Sequence, residues 1–339
     1  MRYKNLEIHN IAQIVPYEEG GITWLRVPEE AYNSQSDQGK RMSKGCTGVE
    51  LRFVLRGEEA AITMQSLDTP ETLVTFQTWY GGIQGGWQCH EENVYIPNEP
   101  KEFVFRRPEN IQTVRRMNEA AGDRWDAEVV RVIFNRGDIR IVDVKGDICP
   151  PEKSQMPTKT LLTYGSSITH GSNSYTTPDT WAFVLANRLG MDLRNLGMAG
   201  SCRMEPEVVE YIASEGERGN WDVATLELGI NVIGWDDALI REHVTNTIRQ
   251  IAGRNPDKKI FVISPFYSND DFFEKGNGDR WRKIIPEICN MLNYENAVYV
   301  DGLDILGDVS LLSADVVHPN VFGVSQIADR LTKVLKENL

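Results

Sequence analysis

The chain of 339 residues contains no apolar run that approaches the roughly 20 residues needed to span a bilayer. Residues 1–7 carry positive charge, but no continuous apolar segment follows them, so the pattern of a secretory signal is missing. We therefore expect a cytoplasmic protein without a membrane partner.

The sequence also lacks an excess of basic residues. It contains 36 Lys and Arg against 49 Asp and Glu, a formal net charge of −13. Residues 1–150 and 151–339 are both acidic, with net charges of −5 and −8, and neither part has a long run of Lys or Arg. Because nucleic acids and anionic membranes attract basic patches, neither is an expected partner. The charge says nothing about oligomeric state.

Cysteine is scarce. The five cysteines are odd in number, widely spaced and without the spacing of metal ligands: Cys46, Cys89, Cys149, Cys202 and Cys289. The segment 89–92 combines Cys, His and two Glu, but adjacent residues of a strand point to opposite faces. The pattern predicts reduced thiols and no metal site.

Helical periodicity is nearly absent before residue 150. Short β-rich runs recur there, at 6–15, 48–55, 60–65, 73–79, 102–105, 129–134 and 139–144. Many short strands separated by Gly, Asn, Asp and Pro are typical of an antiparallel sandwich, so we expect an all-β jelly-roll domain over 1–149. Residues 150–158 contain three prolines and few apolar residues, which predicts a linker.

Strands and helices alternate from residue 159 to residue 339. Thr177 and Pro178 predict a helix start and Gly190 its end, and a second helix is expected from Asp236 to Gly253. Buried strands are expected at 223–228 and 260–264, and a solvated loop at 269–274. Alternating β and α elements predict a parallel sheet with helices on both faces, whose active site lies at the carboxyl ends of the strands.

Two segments of this second domain suggest a serine nucleophile. Ser167 follows an apolar, strand-like run, and Asp315 and His318 stand near the other end of the chain. A serine hydroxyl reacts when a base removes its proton and a third group orients that base, so these three side chains can form a catalytic triad. Ser167 could otherwise cap a helix.

Two further segments could supply an oxyanion hole. Gly197 and Asn231 each follow a predicted strand. Acyl transfer needs hydrogen-bond donors directed at the oxyanion, and a glycine N–H and an amide side chain are suitable donors. A turn-stabilising role is the alternative for Asn231.

The blocks around Ser167, Gly197, Asn231 and His318, in this order, resemble the SGNH (GDSL-like) hydrolase superfamily from about Lys159 onward. The resemblance implies a flavodoxin-like α/β/α domain, a triad of Ser167, Asp315 and His318, and an oxyanion hole formed by the Ser167 N–H, Gly197 and Asn231. It implies no metal or organic cofactor. The family's Gly-Asp-Ser is Gly165-Ser166-Ser167 here, so the carboxylate before the nucleophile is missing.

Family members joined to a jelly roll resemble carbohydrate esterases, which implies as substrate a short acyl ester, with acetyl as the expected acyl group, of a carbohydrate or related small molecule. An acyltransferase with the same triad and a non-catalytic carbohydrate-binding protein are the alternatives. Three side chains are weaker candidates for substrate binding, with structural packing as the commoner role: His170, Trp79 and Trp87.

Overall fold

The chain is described from a computed structural model, in which residues 1–85, 94–122, 124–273 and 276–339 are defined. Among these residues, none of the helices combines the length and the apolar character that crossing a bilayer requires. Cys46, Cys149, Cys202 and Cys289 are free thiols, as expected, and Cys89 lies outside the described residues.

Antiparallel strands dominate the N-terminal part. In the described residues they are β1 (Arg2–Tyr3), β2 (Leu6–His9), β3 (Gln13–Pro16), β4 (Ile22–Leu25), β5 (Glu50–Ser66), β6 (Phe76–Tyr80), β7 (Ile83–Gln84), β8 (Lys101–Arg106), β9 (Val129–Phe134) and β10 (Ile139–Cys149). The main path of the sheet runs β3-β4-β10-β5-β9-β6-β7, with β1, β2 and β8 attached beside it.

The long strand β5 closes this sheet around a core. Its residues 50–54 pair with β9, whereas its residues 59–64 pair with β8, so one strand serves two layers. Side chains from both layers meet inside and are at most 3% exposed, among them Leu51, Phe53, Ile62, Phe103 and Phe134. The expected antiparallel β-sandwich is confirmed.

Three helices of this part were not predicted: α1 (Glu29–Ser34), α2 (Asp37–Lys44) and α3 (Ile111–Ala121). Local capping explains where two of them lie, since the Ser36 side chain accepts the Gly39 N–H at the start of α2 and Gly122 ends α3 in the left-handed conformation. The helices are short, with few apolar residues, and a sequence pattern detects such elements poorly.

The C-terminal part contains parallel strands and alternating helices. The strands are β11 (Thr160–Gly165), β12 (Asp192–Gly197), β13 (Val223–Glu227), β14 (Lys259–Ile263) and β15 (Ala297–Val300). The helices are α4 (Ser167–His170), α5 (Trp181–Leu189), α6 (Pro206–Glu217), α7 (Asp237–Arg254), α8 (Asn269–Phe272), α9 (Asn277–Leu292), α10 (Gly302–Ile305) and α11 (Val321–Asn338). The order β12-β11-β13-β14-β15 is that of a flavodoxin-like fold, as predicted.

Helices cover both faces of this sheet. Apolar side chains of α6, α7 and α9 form one buried cluster with it, including Ile212, Ile248 and Ile285. Those of α5 and α11 form the cluster on the other face, including Leu185 and Leu331. The chain therefore has the three-layer α/β/α architecture that the resemblance implied. We retain 1–149, 150–158 and 159–339 as the proposed domain division.

Three local predictions need correction. Thr177 begins a single 3-10 turn, and α5 starts later, where the Thr180 side chain accepts the Phe183 N–H. Gly190 ends α5 and Asp236 caps α7 as predicted, but α7 continues past Gly253 to Arg254. The segment expected to be a solvated loop begins with α8, whose buried Asp270 accepts the Gly278 N–H at the start of α9.

The N-terminal part covers the outer edge of β12, which is the last strand of the parallel sheet on its side. Its side chains bond to alternate backbone carbonyls of β12: His9 to Leu193 at 2.6 Å, Asn10 and Arg26 to Asn195 at 2.9 Å each, and Arg26 to Gly197 at 3.0 Å. An unpaired strand edge presents orphan backbone groups, and here side chains satisfy them.

Buried charges join the two parts at the start of β12. Arg52 forms two hydrogen bonds of 2.7 Å to the Asp192 carboxylate and one of 2.8 Å to Glu50. Arg131 also binds Glu50, and both guanidinium groups lie against the Trp125 ring. Although burial alone would raise it, these cations hold the pKa of Glu50 at about 2.

Arg52→Met should lower the free energy of unfolding by about 3–5 kcal/mol, because the buried Asp192 carboxylate loses the guanidinium that binds both of its oxygens. Urea titration followed by circular dichroism measures this. Arg106→Met, which breaks an exposed pair with Glu59, is the control and should change stability far less. Equal losses of unfolding free energy in both variants would show that the buried ion pair stabilises the fold no more than the exposed one.

Candidate active site

Three parallel strands end at one edge of the sheet. β11 ends at Gly165, β12 at Gly197 and β13 at Glu227, and β11 lies between the other two. The direction in which successive strands are added to the sheet reverses at β11, since β12 lies on one side of it and β13 on the other. Crevices in doubly wound folds form at such a point.

Ser167 stands in the sharp turn between β11 and α4. The Ser166 side chain accepts the Ile168 N–H at 3.1 Å and caps this short helix, and Gly171 ends it with φ 101°. Ser167 is the first helical residue and is 8% exposed. Its N–H has no acceptor among the described residues and can serve an external ligand.

The structure brings Ser167, His318 and Asp315 into a continuous hydrogen-bonded chain. Ser167 Oγ lies 2.7 Å from His318 Nε2, and His318 Nδ1 lies 2.8 Å from Asp315 Oδ2. Burial acts to raise the pKa of Asp315, but the backbone N–H groups of His318 and Val317 and the His318 ring outweigh it and hold that pKa below its ordinary value. Asp315 is therefore ionised in neutral solution and can fix the imidazole orientation.

Backbone strain accompanies this histidine loop. Val316 has φ 54°, a left-handed conformation that a β-branched residue rarely adopts. Its carbonyl accepts the Asn269 N–H at 2.7 Å, and Ser313 donates its N–H to the His318 carbonyl at 2.8 Å. Such strain persists only where the surroundings fix it. Here it accompanies a loop conformation in which Asp315 contacts His318 and His318 contacts Ser167.

Asn231 lies in a 3-10 turn, Ile230–Val232, just after β13. Its Oδ1 accepts the Cys202 N–H at 2.9 Å, which fixes the amide orientation. The Nδ2 group, opposite Oδ1, has no acceptor in the described residues. Asn231 is thus oriented as a donor.

The structure corrects the expectation for Gly197. Its N–H donates to Asn195 Oδ1 at 2.8 Å and is not available to an oxyanion. Gly197 instead permits close packing, because a Cβ there would lie 2.2 Å from the His170 backbone nitrogen. Glycine is required at this position for space.

Gly200, in the loop after β12, offers the N–H that Gly197 does not. This loop lies between the nucleophile turn and Asn231, since Met198 N–H donates to the Gly165 carbonyl and Cys202 N–H to Asn231. Gln38 of α2 donates to the Ala199 carbonyl at 2.9 Å. In a planar trans peptide the following N–H points the opposite way, so Gln38 sets the direction of the Gly200 N–H.

Glu227 is a buried carboxylate that the sequence analysis did not single out. Its Oε2 accepts the Ser166 N–H and hydroxyl at 2.7 Å each and the Thr169 hydroxyl at 3.1 Å. Burial raises the pKa of Glu227 to about 7 despite these bonds. The sequence feature that could have revealed Glu227 is a single charged residue at the end of the mainly apolar strand β13, Val223–Glu227.

The weaker substrate-binding candidates lie elsewhere. His170 borders a cavity of about 10 Å³ together with Thr47 and Asn135 of the N-terminal part, and burial lowers its pKa to about 3. The half-buried Trp79 ring packs edge to face on Phe183 of α5 with 5.4 Å between centroids, and its role in sugar stacking stays a prediction. Trp87 lies outside the described residues.

Comparison with known proteins agrees with this geometry. The chain is similar in fold to a salicylyl-acyltransferase from a tetracycline biosynthetic pathway, with TM-score 0.75, 17% identity and coverage of 98% of this chain and 95% of that one. It is also similar to a family two carbohydrate esterase from Clostridium thermocellum solved with cellohexaose, with TM-score 0.60, 15% identity and coverage of 98% of each chain. An acetyl xylan esterase from Butyrivibrio proteoclasticus is similar as well, with TM-score 0.57, 13% identity and coverage of 98% of each chain. The search of curated protein sequences found no match.

The family comparison covers more than half of the chain. Residues 158–336 match the GDSL-like lipase/acylhydrolase family, and this range contains every residue of the hydrogen-bonded chain from Ser167 to Asp315. Together with the flavodoxin-like sheet, this match identifies the protein as a serine hydrolase that belongs to the GDSL-like lipase/acylhydrolase family.

Proposed function

We propose that the protein is a serine esterase that hydrolyses short-chain acyl esters, acetyl esters first, of a carbohydrate or related small molecule. The observation that supports this most directly is the chain of hydrogen bonds from Ser167 Oγ through His318 to Asp315. The nucleophile Ser167 contacts the base His318, and His318 contacts the carboxylate Asp315 that orients it, as acyl transfer through a serine requires.

In the proposed reaction, His318 Nε2 takes the proton of Ser167 Oγ as that oxygen bonds to the ester carbonyl carbon. The imidazolium, stabilised by Asp315, then gives this proton to the alkoxy oxygen, and the C–O bond of the ester breaks to release the alcohol. Water then attacks the acyl-Ser167 ester with His318 as base. The acid leaves and Ser167 regains its proton.

Three donors would stabilise the tetrahedral oxyanion. They are the Ser167 N–H at the start of α4, the Asn231 amide held by Cys202, and the Gly200 N–H directed by Gln38. Gly200 takes the position that the sequence assigned to Gly197. Donors that are oriented before the reaction stabilise charge as it develops, at no reorganisation cost in the transition state.

Exposed aromatic side chains on two segments bound to the catalytic loop support a ring-shaped alcohol. Tyr175 is 93% exposed and lies two residues after Asn173, whose amide donates to Ser313 Oγ at 2.9 Å. Phe272 is 55% exposed at the end of α8, the helix joined to Val316 through Asn269. Aromatic rings stack on the apolar face of sugars and related rings.

An acyltransferase with the same triad is the second candidate. The fold similarity to the salicylyl-acyltransferase, at TM-score 0.75, exceeds that to the carbohydrate esterases at 0.60 and 0.57. The two activities share every step up to the acyl-serine, and they differ in whether water or an alcohol attacks next. A carbohydrate-binding protein without catalysis is less favoured, because the hydrogen-bonded triad is complete.

Ser167→Ala should abolish ester turnover and labelling by a serine-reactive phosphonate, because it removes the only oxygen bonded to His318 Nε2 in the described residues. Ser166→Ala keeps that oxygen and should retain measurable turnover and full labelling. Mass spectrometry of the labelled chain identifies the modified serine. Labelling of Ser166 in the Ser167→Ala variant would reverse the assignment.

Asn231→Ala should reduce kcat by roughly 100- to 1000-fold with a smaller change in KM, as expected when one oxyanion donor is lost. Gln38→Ala should reduce kcat less, because the Gly200 N–H remains but is no longer held in direction. Gln65→Ala, which removes a similar bond from a side-chain amide to the Asn98 carbonyl, is the control and should leave kcat unchanged. A rise in KM at constant kcat would instead make Asn231 a recognition residue.

A panel of nitrophenyl esters and acetylated sugars tests the substrate class. We expect acetyl to be preferred over longer acyl groups and acetylated sugars to exceed simple alkyl acetates in kcat/KM. Product analysis with and without added alcohol separates the two candidates, because an acyltransferase diverts the acyl group to the alcohol in proportion to its concentration. Equal kcat/KM for sugar and alkyl acetates would refute the carbohydrate assignment.

A further inference from the structure

The turn that carries Ser167 rests on a single carboxylate oxygen. Glu227 Oε2 accepts three hydrogen bonds from this turn, two from Ser166 and one from Thr169, while Oε1 has no partner in the described residues. Ser166 and Thr169 stand on either side of the pair Ser167 and Ile168. Glu227 therefore holds the nucleophile turn at both ends.

The surrounding backbone is built for this contact. A Cβ on Gly165 would lie 2.6 Å from Glu227 Oε2 and 2.3 Å from Thr169 Oγ1, so only glycine leaves room for the carboxylate. The same segment continues to Asn231 four residues later. Glu227 thus couples the position of the nucleophile to the strand that presents the amide donor.

We propose that Glu227 is a positioning residue for Ser167, and that its carboxylate replaces the acid which the family motif places at position 166. This inference rests on the proposed esterase function. Glu227 touches no reacting atom and acts through Ser166 and Thr169. The negative charge missing from Ser166 is supplied by the neighbouring strand.

Few other ionisable groups surround Glu227. Cys202, after β12, lies with its Sγ 3.9 Å from the Glu227 carbonyl, and Tyr164 of β11 is the next; burial raises the pKa of both well above the ordinary values. Both stay neutral in the physiological range. The described residues place no cation in an ion pair with Glu227, and His318 reaches the turn only through Ser167. A change in the charge of the nucleophile turn near pH 7 therefore belongs to Glu227.

The activity ratio of wild type to Glu227→Gln isolates the effect of Glu227, because every other side chain is common to both proteins. We expect kcat of the variant to fall roughly 10- to 100-fold at pH 8.5 with little change in KM, as displacement of a reacting group does. At pH 5.5, where the wild-type carboxyl is protonated, the ratio should approach 1. A ratio independent of pH, or an effect confined to KM, would overturn the inference.

Stability gives a readout that does not depend on activity. Because the pKa of Glu227 is raised in the folded state, its contribution to stability is present below the unfolded pKa and is lost as pH rises to about 7. The melting temperature of wild type relative to Glu227→Gln should fall over this window and then level. Asp138→Asn is the control: burial raises the pKa of Asp138 to about 6, so its melting temperature should shift similarly, but its activity ratio to wild type should be constant.

Moving the charge provides the rescue experiment. Ser166→Asp alone places a second carboxylate against Glu227 and should lower kcat strongly through like-charge repulsion. Adding Glu227→Gln should recover activity above that of Ser166→Asp, because one carboxylate is restored beside the turn. Additive losses in the double variant contradict the proposal. If the wild-type protein shows no turnover that depends on Ser167, the proposed esterase function is refuted. If the wild type is active and the Glu227 variants behave otherwise than expected, only the role of Glu227 is refuted.

Discussion

The covered edge of β12 is the constraint on which the active site depends. This strand is the last of the parallel sheet on its side, and its outward carbonyls at Leu193, Asn195 and Gly197 accept bonds from side chains of the β-sandwich. The Arg26 guanidinium is fully buried, and within the described residues its hydrogen-bond partners are all backbone carbonyls, two from β12 and one from Met42. Burial lowers its pKa to about 10, which still leaves it charged. A buried cation without a carboxylate needs such carbonyl partners, and removing the sandwich would take the cation away and leave the carbonyls of the β12 edge without these donors.

Contacts from the N-terminal part also reach the loop that bears the Gly200 N–H. Arg26 bonds the last residue of β12, and Gln38 bonds the carbonyl two residues later. Both contacts lie on the path from the strand to the Gly200 N–H. The N-terminal part therefore holds the backbone that leads to the proposed oxyanion donor Gly200, in addition to the role in substrate recognition that we propose for it. Trp79 adds a further contact between the two parts, because its ring packs on Phe183 of α5.

Sequence periodicity was sufficient for the sheets, and the local motifs with their family resemblance were sufficient to propose the triad. Alternating strands and helices after residue 158 predicted the parallel sheet, and the spacing of Asp315 and His318 suits a loop in which the carboxylate reaches both the ring and the following backbone N–H groups. The donors could not be assigned in the same way. Two glycines follow Asn195, and which N–H is free depends on a side-chain bond from Asn195 and on Gln38 about 160 residues earlier. Short helices such as α1 and α2 could not be predicted from the pattern, because helices of this length depend on tertiary packing and, in α2, on the Ser36 cap.

The replacement of the motif acid by Ser166 shows why a motif has to be interpreted with its neighbours in space. In sequence, the change removes a negative charge next to the nucleophile. In the structure, Ser166 donates both its hydrogens to Glu227, so the short hydroxyl gives space and hydrogen bonds to a carboxylate that enters from the adjacent strand. An aspartate at 166 and a glutamate at 227 would place two like charges in one buried site, where at least one must be protonated. The two positions are therefore alternatives for one charge, and Gly165 is the residue that makes the second alternative sterically possible.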